Sequence, residues 1–238
     1  MMKKILFFCL LTIGLLVRGY SQPNYNKEVK YPLNPLNVAI LIYNDVELLD
    51  FAGPLEVFSL AHMDTVRLFN VYTFGLDTDL IRSQRVLQVK PQYTFENCPI
   101  PDIIVLPGGD TRRIKKSEKL INWLKENFDS TKIVLSVCTG VSILGEAGML
   151  KNLTATTHKY SIDRMKGKYP NTTFLKNKRF IDNGKIITTA GISAGIDGSL
   201  HVVQKLFGKD VATAIVDWME YDNWKADSGI IINKSERN

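Results

Sequence analysis

The 238-residue chain holds only three cysteines and three histidines, and that scarcity excludes much chemistry. No CxxC or HxxxH spacing occurs, and no carboxylate–histidine cluster has metal-ligand spacing, so neither a metal nor another cofactor is expected. No segment repeats at a fixed period and no tract is of low complexity, which argues against solenoids and repeat arrays. Basic residues are scattered rather than striped, so a nucleic-acid partner is not expected despite a net charge of +6. The short run Arg112, Arg113, Lys115, Lys116 reads as a solvated helix start.

Long apolar runs are also lacking. The stretch from Ile5 to Val17 falls short of the roughly 20 residues that span a bilayer. It follows Lys3 and Lys4 and precedes Gly19-Tyr20-Ser21, so residues 1–21 read as a cleaved signal peptide rather than an anchor. The expected product is exported, periplasmic or secreted, and free of the membrane. Setting those residues aside removes three cationic side chains, Lys3, Lys4 and Arg18, and lowers the net charge from +6 to +3. Cys9 leaves with them. Cys98 and Cys138 remain, one in a loop before a strand and one at the end of the next, positions that do not favour a disulfide.

What the chain does have is one core's worth of buried strands. Residues 22–36 carry three prolines and read as a linker, 37–225 as a single domain, and 226–238 as a C-terminal tail. NVAILIY (37–43), FNVYTFG (69–75), DIIVL (102–106) and KIVLSV (132–137) are continuous apolar runs, as strands covered on both faces should be. Helical periodicity falls between them, with a first helix opening at Gly53-Pro54, one carrying Leu120, Trp123, Leu124 and Phe128, one over GVSILGEAGML (140–150), and others over 193–206 and 209–221. Residues 86–95 read as a short strand and loop, and Asn183-Gly184 between two apolar runs as a hairpin turn. Alternating strands and helices give an α/β fold, a mostly parallel sheet with helices on both faces.

In such sheets ligands bind beyond the carboxyl ends of the strands. Asp50, Pro107-Gly108-Gly109 and Cys138 fall at three such ends. VLSVCTGVS (134–142) turns from strand to helix at Cys138, which can push a nucleophile outwards and set helix N–H groups beside its sulfur. On that ground the thiol pKa is expected below its free value. The alternative is a small buried hydrophobe. Asp50, flanked by Leu48-Leu49 and Phe51-Ala52, reads either as an N-cap or as a carboxyl raised in pKa by apolar surroundings and able to shuttle a proton, with Glu47 and Glu56 as rival acids. Gly108-Gly109 lets backbone N–H groups approach a ligand. His158, after TATT (154–157), reaches the rim near Cys138, whereas His62 and His201 fall on helical segments and read as surface or structural.

Taken in order, VAILIYNDVELLDFAGPLEVF, DIIVLPGG, VLSVCTGVSILGEAGML, ATTH and TAGISAGIDGSLHVV resemble the ThiJ/PfpI superfamily over residues 37–221. Within it the chain is most similar to the isonitrile hydratase group and to the sensor domains of AraC-type regulators, without their DNA-binding domain. The resemblance implies a flavodoxin-like three-layer sandwich with a nucleophile elbow, and a homodimer. It implies Cys138 as nucleophile, Asp50 as its acidic partner, N–H groups of Gly109 and Thr139 at an oxyanion site beside Gly108, and Ile192 near the pocket. Thr139 stands where the intracellular-protease branch has histidine, and no later His-x-Glu pair provides glutamine amidotransferase chemistry. The implied function is a cysteine-dependent lyase or hydratase acting on a small molecule, first an isonitrile hydrated to an N-substituted formamide. Glyoxalase-like aldehyde chemistry on the same pair is one alternative. A non-catalytic ligand-binding or redox-sensing module is another.

Overall fold

The computed structural model describes residues 34–232. The signal peptide expected at residues 1–21 lies outside these residues, as does nearly all of the expected linker. Eight strands form one sheet: β1 Leu36–Leu41, β2 Phe69–Gly75, β3 Tyr93–Thr94, β4 Ile103–Leu106, β5 Ile133–Ser136, β6 Phe180–Asp182, β7 Ile186–Thr189 and β8 Ile230–Ile231. Their order across the sheet is β8-β6-β7-β5-β4-β1-β2-β3, and every neighbouring pair is parallel except β6–β7. The helices α1 Leu48–Leu60, α2 Glu118–Phe128, α3 Val141–Glu146, α4 Ile162–Lys168, α5 Ala194–Phe207 and α6 Lys209–Trp218 surround it.

The apolar runs are the centre of the sheet for a physical reason. Val38, Ala39, Ile40, Leu41, Ile103, Ile104, Val105, Val134 and Leu135 are buried on both strand faces, which only a strand sandwiched between helices permits. Edge packing is aromatic: Trp123 of α2 lies 4.6 Å from Phe74 and 5.5 Å from Phe95 between ring centroids. Asn183 and Gly184 form the β6–β7 turn, Gly184 at φ +95°, which suits glycine.

Three elements differ from the sequence expectation. Helix α1 begins at Leu48, not at Gly53-Pro54, and Pro54 lies inside it. Proline lacks the N–H that the carbonyl of Asp50 would accept from the fourth residue on, a defect usually costing about 3 kcal/mol. The early start is held from outside, because the N–H of Glu47 donates to the carbonyl of Gly108 at 3.1 Å. Residues 81–89 form a small hairpin, Ile81–Ser83 with Leu87–Val89, before β3 joins the sheet edge. Ile230 and Ile231, read as tail, pair with Ile181 and Asp182 and add an edge strand.

The order of strands places the loops that follow β1, β4, β5 and β7 side by side. The chain builds outwards from β1 through β2 to β3, then returns to add β4, β5 and β7 on the other side, so the switch falls between β1 and β4. Gly140, directly after the β5 turn, sits against the last carbonyl of β4, and a Cβ there would collide with the Leu106 oxygen. Gly140→Ala is therefore expected to lower stability by about 2–3 kcal/mol. Gly167→Ala in α4, where a Cβ would have nothing within 4 Å, should be neutral or stabilising by up to about 1 kcal/mol. Urea midpoints of the two variants test this, and equal midpoints would contradict the packing described.

Candidate active site

Asp50 lies in the first turn of α1 and is fully buried. Its Oδ2 accepts the N–H of Gly108 at 2.8 Å, while Oδ1 has no hydrogen-bond partner. It is not the N-cap of α1, which is Glu47. Gly108 is pinned on its other side, its carbonyl accepting the hydroxyl of Tyr43 at 2.6 Å. Space there admits only glycine: a Cβ on Gly108 would stand 2.6 Å from the Thr139 nitrogen and 2.7 Å from Asp50 Oδ2. Tyr43 keeps its proton, since burial and the Asp50 carboxylate push its pKa well above the ordinary value. Tyr43 escaped the sequence reading because it closes an apolar strand run and looks like core.

Cys138 lies two residues past β5, at the start of a 3-10 turn, in a left-handed conformation, φ +56°, and only 6% of its surface is exposed. Three bonds hold the bend. The Val137 N–H donates to the Leu106 carbonyl at 3.0 Å, the Cys138 N–H to the Ala190 carbonyl at 3.1 Å, and the Thr157 hydroxyl to the Cys138 carbonyl at 2.6 Å. Ile192, following β7, is also left-handed at φ +51°, which a β-branched residue rarely adopts. Two such residues facing each other store on the order of 1–3 kcal/mol each. The backbone N–H groups of Ile192 and Thr139 both reach the Cys138 sulfur and favour its anion.

Burial outweighs them. Burial first, and then the nearby Asp50 carboxylate, push the Cys138 thiol up to about 12. This reverses the expectation of a lowered thiol pKa: the turn after Cys138 is a 3-10 turn running into the six-residue α3, and two N–H groups do not offset loss of water. Burial likewise raises Asp50 to about 7, against the opposing hydrogen bond from Gly108. Near neutral pH the thiol therefore keeps its proton beside a buried carboxyl that titrates there.

The other expected site residues divide. Thr139, Gly109, His158 and Ile192 line a cavity of about 330 Å³ with Cys138, Asp45, Glu47 and Asp110. The N–H of Gly109, expected free for an oxyanion, instead donates to the Thr139 hydroxyl at 3.1 Å. The N–H of Gly108 is likewise taken, by Asp50. The N–H groups that face the sulfur belong to Thr139 and Ile192. Glu47 stands at the mouth, hydrogen-bonded by Gln84, and Glu56 is exposed on α1 away from it. His62 is exposed. His201 is buried on Asp182 at 2.9 Å and stacked on Phe180. Cys98 and Cys138 are free thiols. Among the described residues no group of three or more His, Cys, Asp or Glu is arranged to hold a metal.

The profile of the DJ-1/PfpI family matches residues 36–205. The chain belongs to the DJ-1/PfpI family. Isonitrile hydratase of Pseudomonas putida is 34% identical over 189 residues, covering 78% of each chain. The transcriptional regulator GbdR of Pseudomonas aeruginosa is 23% identical over 190 residues, which are 79% of this chain and 52% of the regulator. Among solved structures, a ThiJ/PfpI family protein from Pseudomonas syringae matches with a TM-score of 0.73 and 26% identity, covering 87% of this chain and 85% of that one. Drosophila melanogaster DJ-1beta shares the fold, with a TM-score of 0.68 and 17% identity over 79% of this chain and 98% of its own. The chain is thus similar both to an enzyme and to HTH-type transcriptional regulators. One expectation is corrected. Similarity to isonitrile hydratase lends no support to a signal peptide or a periplasmic protein, and the family assignment, resting on residues 36–205, carries neither.

Two measurements test the electrostatics of this DJ-1/PfpI site. Asp50 has a folded pKa of about 7 against 3.8 when unfolded, so the folded state holds the extra proton between those values. Stability should fall as pH rises from about 4 through about 7, and Asp50→Asn should remove on the order of 2–4 kcal/mol of that fall. Denaturant titrations across this range read it directly; parallel curves for both proteins would refute it. Alkylation of Cys138 by iodoacetamide, followed on its own peptide, should have a pH midpoint above 9 and move downwards in Asp50→Asn as the like charge is lost. A wild-type midpoint below about 8.5 would restore the activated thiolate expected from sequence.

Proposed function

We propose that this protein is a cysteine-dependent enzyme acting on a small electrophile, in the manner of an isonitrile hydratase, with Cys138 as nucleophile and Asp50 as acid and base. The observation that carries the reading is the buried pair: Asp50, one of whose oxygens has no hydrogen-bond partner, interacting with a strained thiol that lines the cavity. The 34% identity to isonitrile hydratase supports the choice of reaction.

In this reading the thiol keeps its proton until substrate arrives. As the Cys138 sulfur bonds to the terminal carbon of the isonitrile, Asp50 takes the thiol proton and delivers it to that carbon. The product is a thioimidate, R–N=CH–S–Cys138, and no oxidant or reductant is needed. Asp50 then removes a proton from water as it attacks the same carbon. Asp50 passes that proton to nitrogen, the carbon–sulfur bond breaks as the new hydroxyl gives up its proton, by way of Asp50, to sulfur, and the thiol is restored as R–NH–CHO departs. The Ile192 and Thr139 N–H groups stabilise sulfur as charge develops on it, so the raised thiol pKa is met in the transition state rather than in the resting protein. Glyoxalase-like chemistry would use the same two groups on an aldehyde carbonyl. A homodimer, implied by the sequence resemblance, belongs to the same proposal.

Purified protein assayed with an aliphatic isocyanide and with methylglyoxal tests it. Turnover of the isocyanide to the formamide is expected, with kcat falling by about 10³-fold or more in Cys138→Ala and about 10²-fold or more in Asp50→Asn. Turnover of methylglyoxal alone would move the reading to aldehyde chemistry. Absence of turnover with either, alongside ligand binding retained in Cys138→Ala, would sink the enzyme and leave a binding module.

A further inference from the structure

Beside the Cys138 cavity lies a second one of about 470 Å³, and the two share His158 and Ile192 as a common wall. Their charges differ. The Cys138 side carries three carboxylates, Asp45, Glu47 and Asp110, whereas the second cavity is lined by Lys159, Lys176, Lys178 and Arg179 and by no acid. Arg179 is held by the buried Asp197, and Lys176 pairs with Asp163 at 3.1 Å. Lys159 and the half-buried Lys178 have no acidic partner among the described residues. Lys159 lies 4.9 Å over the ring of Tyr160, which leaves its charge uncompensated.

We propose that this basic cavity binds a carboxylate on the tail of the substrate, so that the molecule turned over at Cys138 is a small electrophile carrying an acid group. This rests on the enzymatic reading of Cys138 and deepens it. A concave wall on which two of the four cations, Lys159 and Lys178, have no acidic partner focuses its field on an incoming anion, and ordering those two lysines is repaid only when one arrives. The hydroxyl of Ser193, which accepts from Arg179 at 3.1 Å, lies at the same wall. Gly191 packs so closely on the His158 ring that a Cβ would collide with it, which holds the partition between the two cavities in place. An anionic tail reaching past His158 would leave the neutral electrophilic end at Cys138; there Asp45 pairs with Arg85 and Asp110 with Arg112, and Glu47, with no cationic partner among the described residues, would disfavour the reverse orientation.

Isocyanoacetate and its methyl ester differ only in this charge, and their kcat/KM values form the test. The acid should be favoured by roughly tenfold or more. That ratio should fall towards one in Lys178→Gln, recover in Lys178→Arg, and survive in Lys166→Gln on the exposed side of α4. A ratio of one or below in the wild type, or one unchanged in the double variant Lys159→Gln/Lys178→Gln, overturns the proposal. If neither isocyanide is turned over, the isonitrile reading fails and the cavity is judged separately, by calorimetry of N-formylglycine and its methyl ester on Cys138→Ala. Acid-selective binding that weakens in Lys178→Gln supports an anion site without that reaction. Equal binding of the ester, or no binding, overturns it.

Discussion

A single hydrogen bond, from the Gly108 N–H to the buried Oδ2 of Asp50, ties the site to the fold. It joins the helix that follows β1 to the loop that follows β4, across the switch in strand order. With it, Asp50 has one oxygen fixed and the other without a hydrogen-bond partner. The same loop passes the Gly108 carbonyl to Tyr43 and the Gly109 N–H to Thr139, so the β1, β4 and β5 loops are braced against one another. The early start of α1 and the proline inside it make sense in this light. The helix is positioned by contacts to the loop rather than by its own propensity.

Desolvation is the second constraint, and it works against the simplest picture of a reactive cysteine. Helix and backbone N–H groups near a sulfur favour the thiolate, but loss of water opposes it more strongly, and a neighbouring carboxylate adds to the opposition. The result is a protonated thiol next to a carboxyl that titrates near neutrality. Such a pair suits addition reactions, in which the nucleophile's proton ends on the substrate. It suits less well a reaction that needs a free thiolate in the resting state. The strain at Cys138 and Ile192 serves the same arrangement, since it aims one side chain and one backbone N–H at each other from separate strands.

Much of this was legible in the chain. Continuous apolar runs announce strands covered on both faces, because only a sandwiched sheet buries alternate residues equally; three of the four runs form the sheet centre as β1, β4 and β5, and the fourth, β2, lies beside the edge strand. Asn183-Gly184 specified its turn through local dihedral preference. Cys138, Asp50 and Gly108 were found because abrupt ends of apolar strands are where such folds gather chemistry. The edge strand Ile230–Ile231 was not legible, since two residues have no period, and Tyr43 was hidden by its membership of an apolar run.

Sequence by itself determined the layered architecture, the family and the identity of the groups that meet at the strand ends, because these follow from periodicity, turn chemistry and the order of motifs. Tertiary structure alone decided their state. Whether Gly109 offers its N–H, whether the thiol is ionised, and which wall of the pocket is basic depend on groups far apart in the chain, such as Asp50 with Gly108 or Lys178 with His158. Burial and long-range charge are properties of the assembled fold, and no local stretch of residues carries them.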